Sequence, residues 1–331
     1  MKLLISKYLK YLSLWGDFTV RITVLGDANV DIIVKTDNFP RKGMKIKAEN
    51  IEIRIGGSAA NTAIATARLE AKTWFIGKIG KDIHGSFLKN KFIKENVNIE
   101  SLAIDENKKT GIMIFFISNS GKRAIIGYRG ANRNLKPEDV KEEIIIGSDI
   151  LHISAYTLLD KFPKMAALRA LNLASKNNIL TSLDAGLHDV TLNKMIKKTL
   201  EKVDIFFCNE QEIQEITNTK NIEHALKEIR NLGPKVIVLK LGAKGCLIEK
   251  EEAKVHIPAF NVQVLDVIGA GDVFNAGFLV KYIESRDVLK AGVFGNAVAA
   301  LTISKIKARI PTKKEVENFL KTKKLAKIKW I

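Results

Sequence analysis

Residues 269–272 read Gly-Ala-Gly-Asp, a run of small residues that ends in a carboxylate and opens the helix-like stretch "DVFNAGFL". Glycines expose backbone N–H groups and a helix N-terminus carries partial positive charge, so such a turn suits a phosphoryl group. A fixed carboxylate there repels the anion unless it has its own task. Taking the proton from an attacking hydroxyl is one, with the N–H groups of Gly269, Ala270 and Gly271 stabilising the charge that builds during transfer. Capping the helix is the other role open to Asp272. A second cluster, "IGGSAANTAIATARL" at 55–69, places Gly56 and Gly57 ahead of another helix, with Asn61 in its first turns. Small residues at such a start serve close approach to a ligand or close packing.

Other chemistries find little support. No stretch fits the G-x-x-x-x-G-K-[ST] phosphate loop. "GAGDVF" has Phe274 where a dinucleotide fingerprint needs its third glycine, and it lies near the C-terminus rather than after a first strand. Cys208 and Cys246 are far apart within apolar runs, which argues against a disulfide framework or a cysteine zinc site and for buried thiols in a reducing compartment. The five histidines are scattered, with no H-E-x-x-H pair. The net charge of +18 arises from 54 bases among 36 acids. We read it as lysine spread over helix faces rather than as a nucleic-acid surface. No apolar run reaches the ~20 residues of a bilayer span, and "MKLLISKYLKYLSLWGDF" is lysine-interrupted with no cleavage site, so a cytoplasmic protein is expected.

These residues need a scaffold. "VRITVLG", "TWFIG", "DILHIS", "ILTSLD", "DIFFC" and "KVIVLK" are short apolar runs suited to buried strands. They alternate with helical patterns such as "FPKMAALRALNLASKNN" and "NIEHALKEIRNLG". This rhythm predicts an α/β fold, a mostly parallel central sheet with helices on both faces. Two regions break it. "KIKAENIEIRIGG" (45–57) alternates like a half-exposed strand, and "TGIMIFFISNSGKRAIIGYRG" (110–130) reads as two strands joined at "SNSG". Both flank candidate substrate residues, so we expect a small antiparallel β lid. With no linker or repeat in view, residues 20–331 are taken as a single domain and 1–19 as an N-terminal extension.

The chain resembles the ribokinase-like (PfkB-type) carbohydrate kinases from about residue 20 to its end. "GGSAANTAIATARL" and "DVIGAGDVFNAGFL" resemble the two family signatures. "VLGDANVDII", "GKIGKDIHG", "CNEQEI", "LKLGAKG" and "PTKKEV" match further family stretches in order. The resemblance implies transfer of the γ-phosphate of ATP to a primary hydroxyl, usually of a sugar. It makes Asp272 the base and Gly269, Ala270 and Gly271 the anion hole. Asp31, Gly57 and Asn61 would bind substrate hydroxyls, with Gly56 allowing close approach. Asn209 and Glu212 would organise hydrated Mg²⁺, Glu212 reaching the ion through water. Lys240, Gly242 and Gly245 would line the nucleotide side, and Asn296 would lie at the adenine region.

Arg129, in "YRGAN", falls near the expected sugar pocket, where it would pair with a substrate carboxylate or phosphate, or else lie on the lid surface. Many members also hold a monovalent cation between the loop before Asp272 and the loop after the penultimate helix. This chain keeps Asp266 but has Val267 and Ile268 for two threonines, and "ISKIKARIPT" lacks the usual Gly-Ala, which puts potassium activation in question. Lid strands permit a homodimer across a two-fold axis. A nucleoside kinase of the same family, and a non-catalytic nucleic-acid or ligand binder on a kinase fold, remain alternatives.

Overall fold

The computed structural model describes residues 19–37, 39–118, 122–186, 190–251, 253–305, 309–323 and 325–331. Positions 1–18 of the expected extension, the tip of the "SNSG" turn and residues 306–308 of "ISKIKARIPT" lie outside the described residues.

The apolar run "RITVL" forms β1 (Arg21–Leu25), buried at all but its first residue as a central parallel strand must be. Chain order continues with β2 (Asn29–Thr36), β3 (Asn50–Gly56), α1 (Ser58–Arg68), β4 (Lys72–Gly80), α2 (Ile83–Lys94) and β5 (Val97–Asp105). Next come β6 (Gly111–Ser118), β7 (Arg123–Tyr128), α3 (Glu142–Ile146), β8 (Ile150–Ser154), α4 (Lys161–Lys176) and β9 (Leu180–Asp184). The second half supplies α5 (Val190–Leu200), β10 (Ile205–Asn209), α6 (Glu210–Thr217), α7 (Ile222–Asn231), β11 (Val236–Lys240), β12 (Cys246–Lys250) and β13 (Ala253–Ile257). The chain closes with α8 (Ala270–Ser285), α9 (Val288–Ile303), α10 (Lys313–Thr322) and β14 (Lys329–Trp330).

The main sheet runs β14-β13-β12-β11-β10-β9-β8-β1-β4-β5. Every pairing from β5 through to β11 is parallel, and the antiparallel strands β12, β13 and β14 extend one edge. Side chains alternate across a strand, so neighbouring residues enter different cores. Phe206 belongs to the core packed by α4 to α7, and Phe207 to the one packed by α1, α8 and α9. Helices therefore cover both faces, as expected. Cys208 and Cys246 are buried in opposite cores and both are thiols. No helix among the described residues is long and apolar enough to cross a membrane.

The separate lid sheet has the order β3-β2-β6-β7. Its outer pairs are antiparallel as expected, and β2 joins them at the centre, parallel to β6. The run "NVDIIVKT" reads like a core strand, but the bend at Gly26–Ala28 carries it out of the main sheet. Gly26 is needed at that bend, since a Cβ there would lie 2.5 Å from the Cβ of Ala59. The lid thereby starts at the carboxyl end of β1, on the side where α/β sheets bind ligands.

Candidate active site

Helix α8 starts from Gly269, held at φ 76°, where glycine avoids the strain that a side chain would meet. Its first turn carries Asp272 against α1. Asn61 Nδ2 donates to Asp272 Oδ2 at 2.8 Å, and Thr62 Oγ1 donates to the Asp272 carbonyl at 3.3 Å. The two glycine-led helix starts found in the sequence thus meet at one carboxylate. Asp272 does not cap its own helix, which shows no side-chain cap. Burial, and then the charge of Asp184, push its pKa up to about 6, while donors from Asn61 and Ser58 and the Lys240 ammonium act against the rise.

Across the crevice, Asp31 is 6% exposed and its Oδ1 has no hydrogen-bond partner. Burial and the neighbouring Asp272 raise its pKa to about 7, with Arg54 opposing. Gly56 faces it, and a Cβ at 56 would fall 1.9 Å from Asp31 Oδ1. Gly57, at φ 93°, lies against the Asp27 carbonyl, which a Cβ would meet at 2.4 Å. Asp31, Asn61 and Gly269 share a cavity of about 480 Å³ with Arg54 and the apolar side chains of Ile53, Phe87 and Ile310.

The ends of β9, β10 and β11 lie side by side, Phe207 pairing with Asp184 and Asn209 with Lys240. Lys240 Nζ donates to Asp184 Oδ1 at 2.7 Å, the two side chains being 16% and 3% exposed. A Cβ on Gly271 would come within 3.4 Å of that ammonium, so Lys240 reaches the turn before Asp272. Burial opposes its charge, but Asp184, Glu212 and Asp272 outweigh burial and keep the lysine protonated. Lys240→Met would leave Asp184 buried without its cation, at a cost on the order of 3 kcal/mol. A lower Tm, with the acid limb of kcat/KM moved above pH 6, is the expected result.

Asn209 and Glu212 form a reciprocal capping box at the start of α6, each side chain accepting the other's backbone N–H at 2.8 Å. Among the described residues no three His, Cys, Asp or Glu converge as a metal cage. The donor set, a buried Glu212 near Lys240 and Asp184, fits Mg²⁺ that keeps its waters and is carried by phosphates, the usual habit of that ion. Gly242, at φ 58°, has open space around it, whereas a Cβ on Gly245 would strike the Ile257 carbonyl at 2.1 Å.

Two expected binding residues already have protein partners. Arg129 makes a bidentate pair with Asp27 at 2.8 Å and a further pair with Asp160, so its guanidinium is not available to a substrate anion. Asn296 donates through Nδ2 to the carbonyls of Ile257 and Pro258, at 3.2 and 3.1 Å. It ties the segment after β13 to α9 through its amide nitrogen. Sequence reading also passed over Asp184 and Arg54. The first carried a usable signal, a carboxylate at the carboxyl end of a parallel strand. The second carried none.

A half-buried carboxylate beside a glycine turn, at the carboxyl edge of a parallel sheet and under a strand lid, defines a phosphotransferase-like α/β enzyme. Residues 20–315 match the pfkB family of carbohydrate kinases, and the chain belongs to that family. It is similar to ribokinase of Haemophilus influenzae, 30% identical over 308 residues that cover 90% of this chain and 98% of that protein. A ribokinase structure from Thermotoga maritima superposes with a TM-score of 0.79 at 30% identity, over 92% of this chain and 100% of that one. The structure of Arabidopsis thaliana ribokinase complexed with ribose and ATP has a TM-score of 0.82 at 27% identity, over 92% and 99% of the chains.

Proposed function

We propose that this kinase transfers the γ-phosphoryl group of ATP to the primary hydroxyl of a sugar, with a pentose such as ribose as the first acceptor to test. The observation that carries the reading is Asp272, half-buried at the start of α8, held by Asn61 and kept near pKa 6. A carboxylate of that basicity takes a hydroxyl proton near neutral pH more readily than an ordinary one. Asp31, Asn61 and the Gly56–Gly57 backbone hold the sugar hydroxyls. The acceptor oxygen forms its bond to phosphorus as the bond to the β-phosphate oxygen breaks. The hydroxyl proton goes to Asp272 and ADP leaves. The N–H groups of Gly269 and Gly271 and the Lys240 ammonium stabilise the transferring group, while the Ala270 N–H donates to the Val267 carbonyl at 3.2 Å and closes the turn. Asn209 and Glu212 would hold Mg²⁺ beside the nucleotide, where the ion would supply neutralisation of phosphate charge. Lys240, Gly242 and Gly245 bound the nucleotide side.

The size and apolar wall of the cavity favour a second reading, a nucleoside acceptor with its base against Ile53, Phe87 and Ile310. ADP release with Mg²⁺ and ATP, measured across sugars, sugar acids and nucleosides from pH 5 to 9, tests both. kcat/KM is expected to rise with pH through about 6 to 7, as Asp272 and Asp31 lose their protons, and then to level off. A profile flat down to pH 5, or turnover on none of these acceptors, contradicts it.

A further inference from the structure

Asp266 stands at the start of the loop that becomes the Gly269–Gly271 turn. Both of its carboxylate oxygens are engaged. Oδ1 accepts the Ile268 N–H at 3.0 Å, and Oδ2 accepts Arg54 Nη1 at 2.7 Å. Arg54 reaches it from lid strand β3, with Glu52 of the same strand accepting Nη2 at 2.8 Å. These residues do not fit an alkali ion on Asp266. A guanidinium already occupies Oδ2 and a backbone N–H occupies Oδ1, and Val267 and Ile268 supply no side-chain oxygen.

The same arginine faces the substrate cavity. On the paired strands β2 and β3, Arg54 is the register partner of Asp31, and both line the cavity that holds Asn61 and Gly269. Arg54 Nε and Asp31 Oδ1 are each buried with no hydrogen-bond partner. An orphaned donor and an orphaned acceptor on adjacent strands each carry a desolvation cost, which one bridging hydroxyl would relieve at both ends.

We propose that Arg54 is a positioning residue that stands in place of a monovalent cation at Asp266 and couples the substrate hydroxyl bound at Asp31 to the anion-hole loop. The inference rests on the kinase reading above. The hydroxyl accepts from Nε and donates to Asp31, which fixes the guanidinium plane. The other side of the guanidinium then holds Asp266, and Asp266 holds the Ile268 N–H immediately before the left-handed Gly269. Substrate under the lid would thus order the turn that receives the phosphoryl group. The chain needs no alkali cation for this, because the lid brings its own.

The test compares wild type, Arg54→Gln and Arg54→Lys in KCl, NaCl or choline chloride at equal ionic strength, reading ADP release and Tm. Wild-type kcat/KM and Tm should agree within about twofold and about 1 °C across the three salts. Arg54→Gln should lose at least about tenfold in kcat and raise the KM for the sugar, leaving the KM for ATP nearly unchanged. Millimolar guanidinium chloride should restore part of that loss, and Arg54→Lys should retain more activity than Arg54→Gln. With its carboxylate released, Arg54→Gln should also gain a Tm that rises in KCl over choline. Several-fold activation of wild type by KCl, a wild-type Tm that needs KCl, or an Arg54→Gln enzyme with normal kcat overturns the proposal. If wild type turns over no acceptor, the kinase reading fails instead, and the salt dependence of Tm in wild type and Arg54→Gln decides the cation question alone.

Discussion

Asp272→Asn should lower kcat by on the order of 10²–10⁴-fold while leaving the KM for sugar and ATP within a few-fold of wild type. The change is isosteric, and the new side-chain amide oxygen can still accept from Asn61 Nδ2, so the local geometry has no reason to move. What disappears is a half-buried charge close to Asp184. Its folded pKa lies above the unfolded value, so the folded state binds the extra proton between about pH 4 and 6 and stability falls as pH rises through that window. A neutral amide at this position removes the penalty. The variant should therefore melt higher than wild type at pH 8 and nearly equally at pH 4. Lost turnover together with gained stability separates a working base from a structural cap. An aspartate that only capped a helix would keep its turnover on this substitution, with Tm little changed, because asparagine caps about as well.

Gly56→Ala should abolish productive sugar binding without unfolding the chain. The backbone at 56 is not in the left-handed region, so alanine is conformationally allowed there. The added methyl would lie 1.9–2.2 Å from the three carboxyl atoms of Asp31, closer than van der Waals contact permits. The Asp31 side chain must leave the cavity or β3 must shift. A rise of about 10²-fold or more in the sugar KM is expected, corresponding to about 2.7 kcal/mol of lost binding. The KM for ATP should change little. Gly57 offers the contrast, since alanine there meets backbone strain as well as the Asp27 carbonyl, and Tm should fall too. A double-mutant cycle checks the cause: in an Asp31→Ala background Gly56→Ala should cost almost nothing more, because the clash has been removed.

How much of this was legible in the sequence depends on how far apart the interacting residues lie. The strands of the main sheet are written in local apolar runs, and the helix starts at Ser58 and Ala270 in local glycine pairs. Those features depend on neighbours in the chain. The lid was visible as two segments that broke the rhythm, but β2 was not assigned to it. A run such as "NVDIIVKT" has no local mark that distinguishes a strand of the main sheet from one bent out of it. The fates of Arg129, Asn296 and Arg54 were hidden for another reason. Their partners lie 102, 38 and 212 residues away, at Asp27, Pro258 and Asp266. Which acid meets which base is decided by packing. A signature motif names positions that approach the site; it does not say whether their polar atoms are already used.

The central claim is that Asp272 takes the proton of an acceptor hydroxyl while the Gly269–Gly271 turn receives the phosphoryl group. The most direct measurement is single-turnover formation of the sugar phosphate from labelled ATP at about pH 7.5, with wild type and Asp272→Asn compared at saturating sugar and nucleotide. Wild type should form a phosphate ester on the primary hydroxyl, and the variant should bind both ligands yet form it at least about 10²-fold more slowly. Equal single-turnover rates in the two proteins, or an ester on a secondary hydroxyl, would contradict the account.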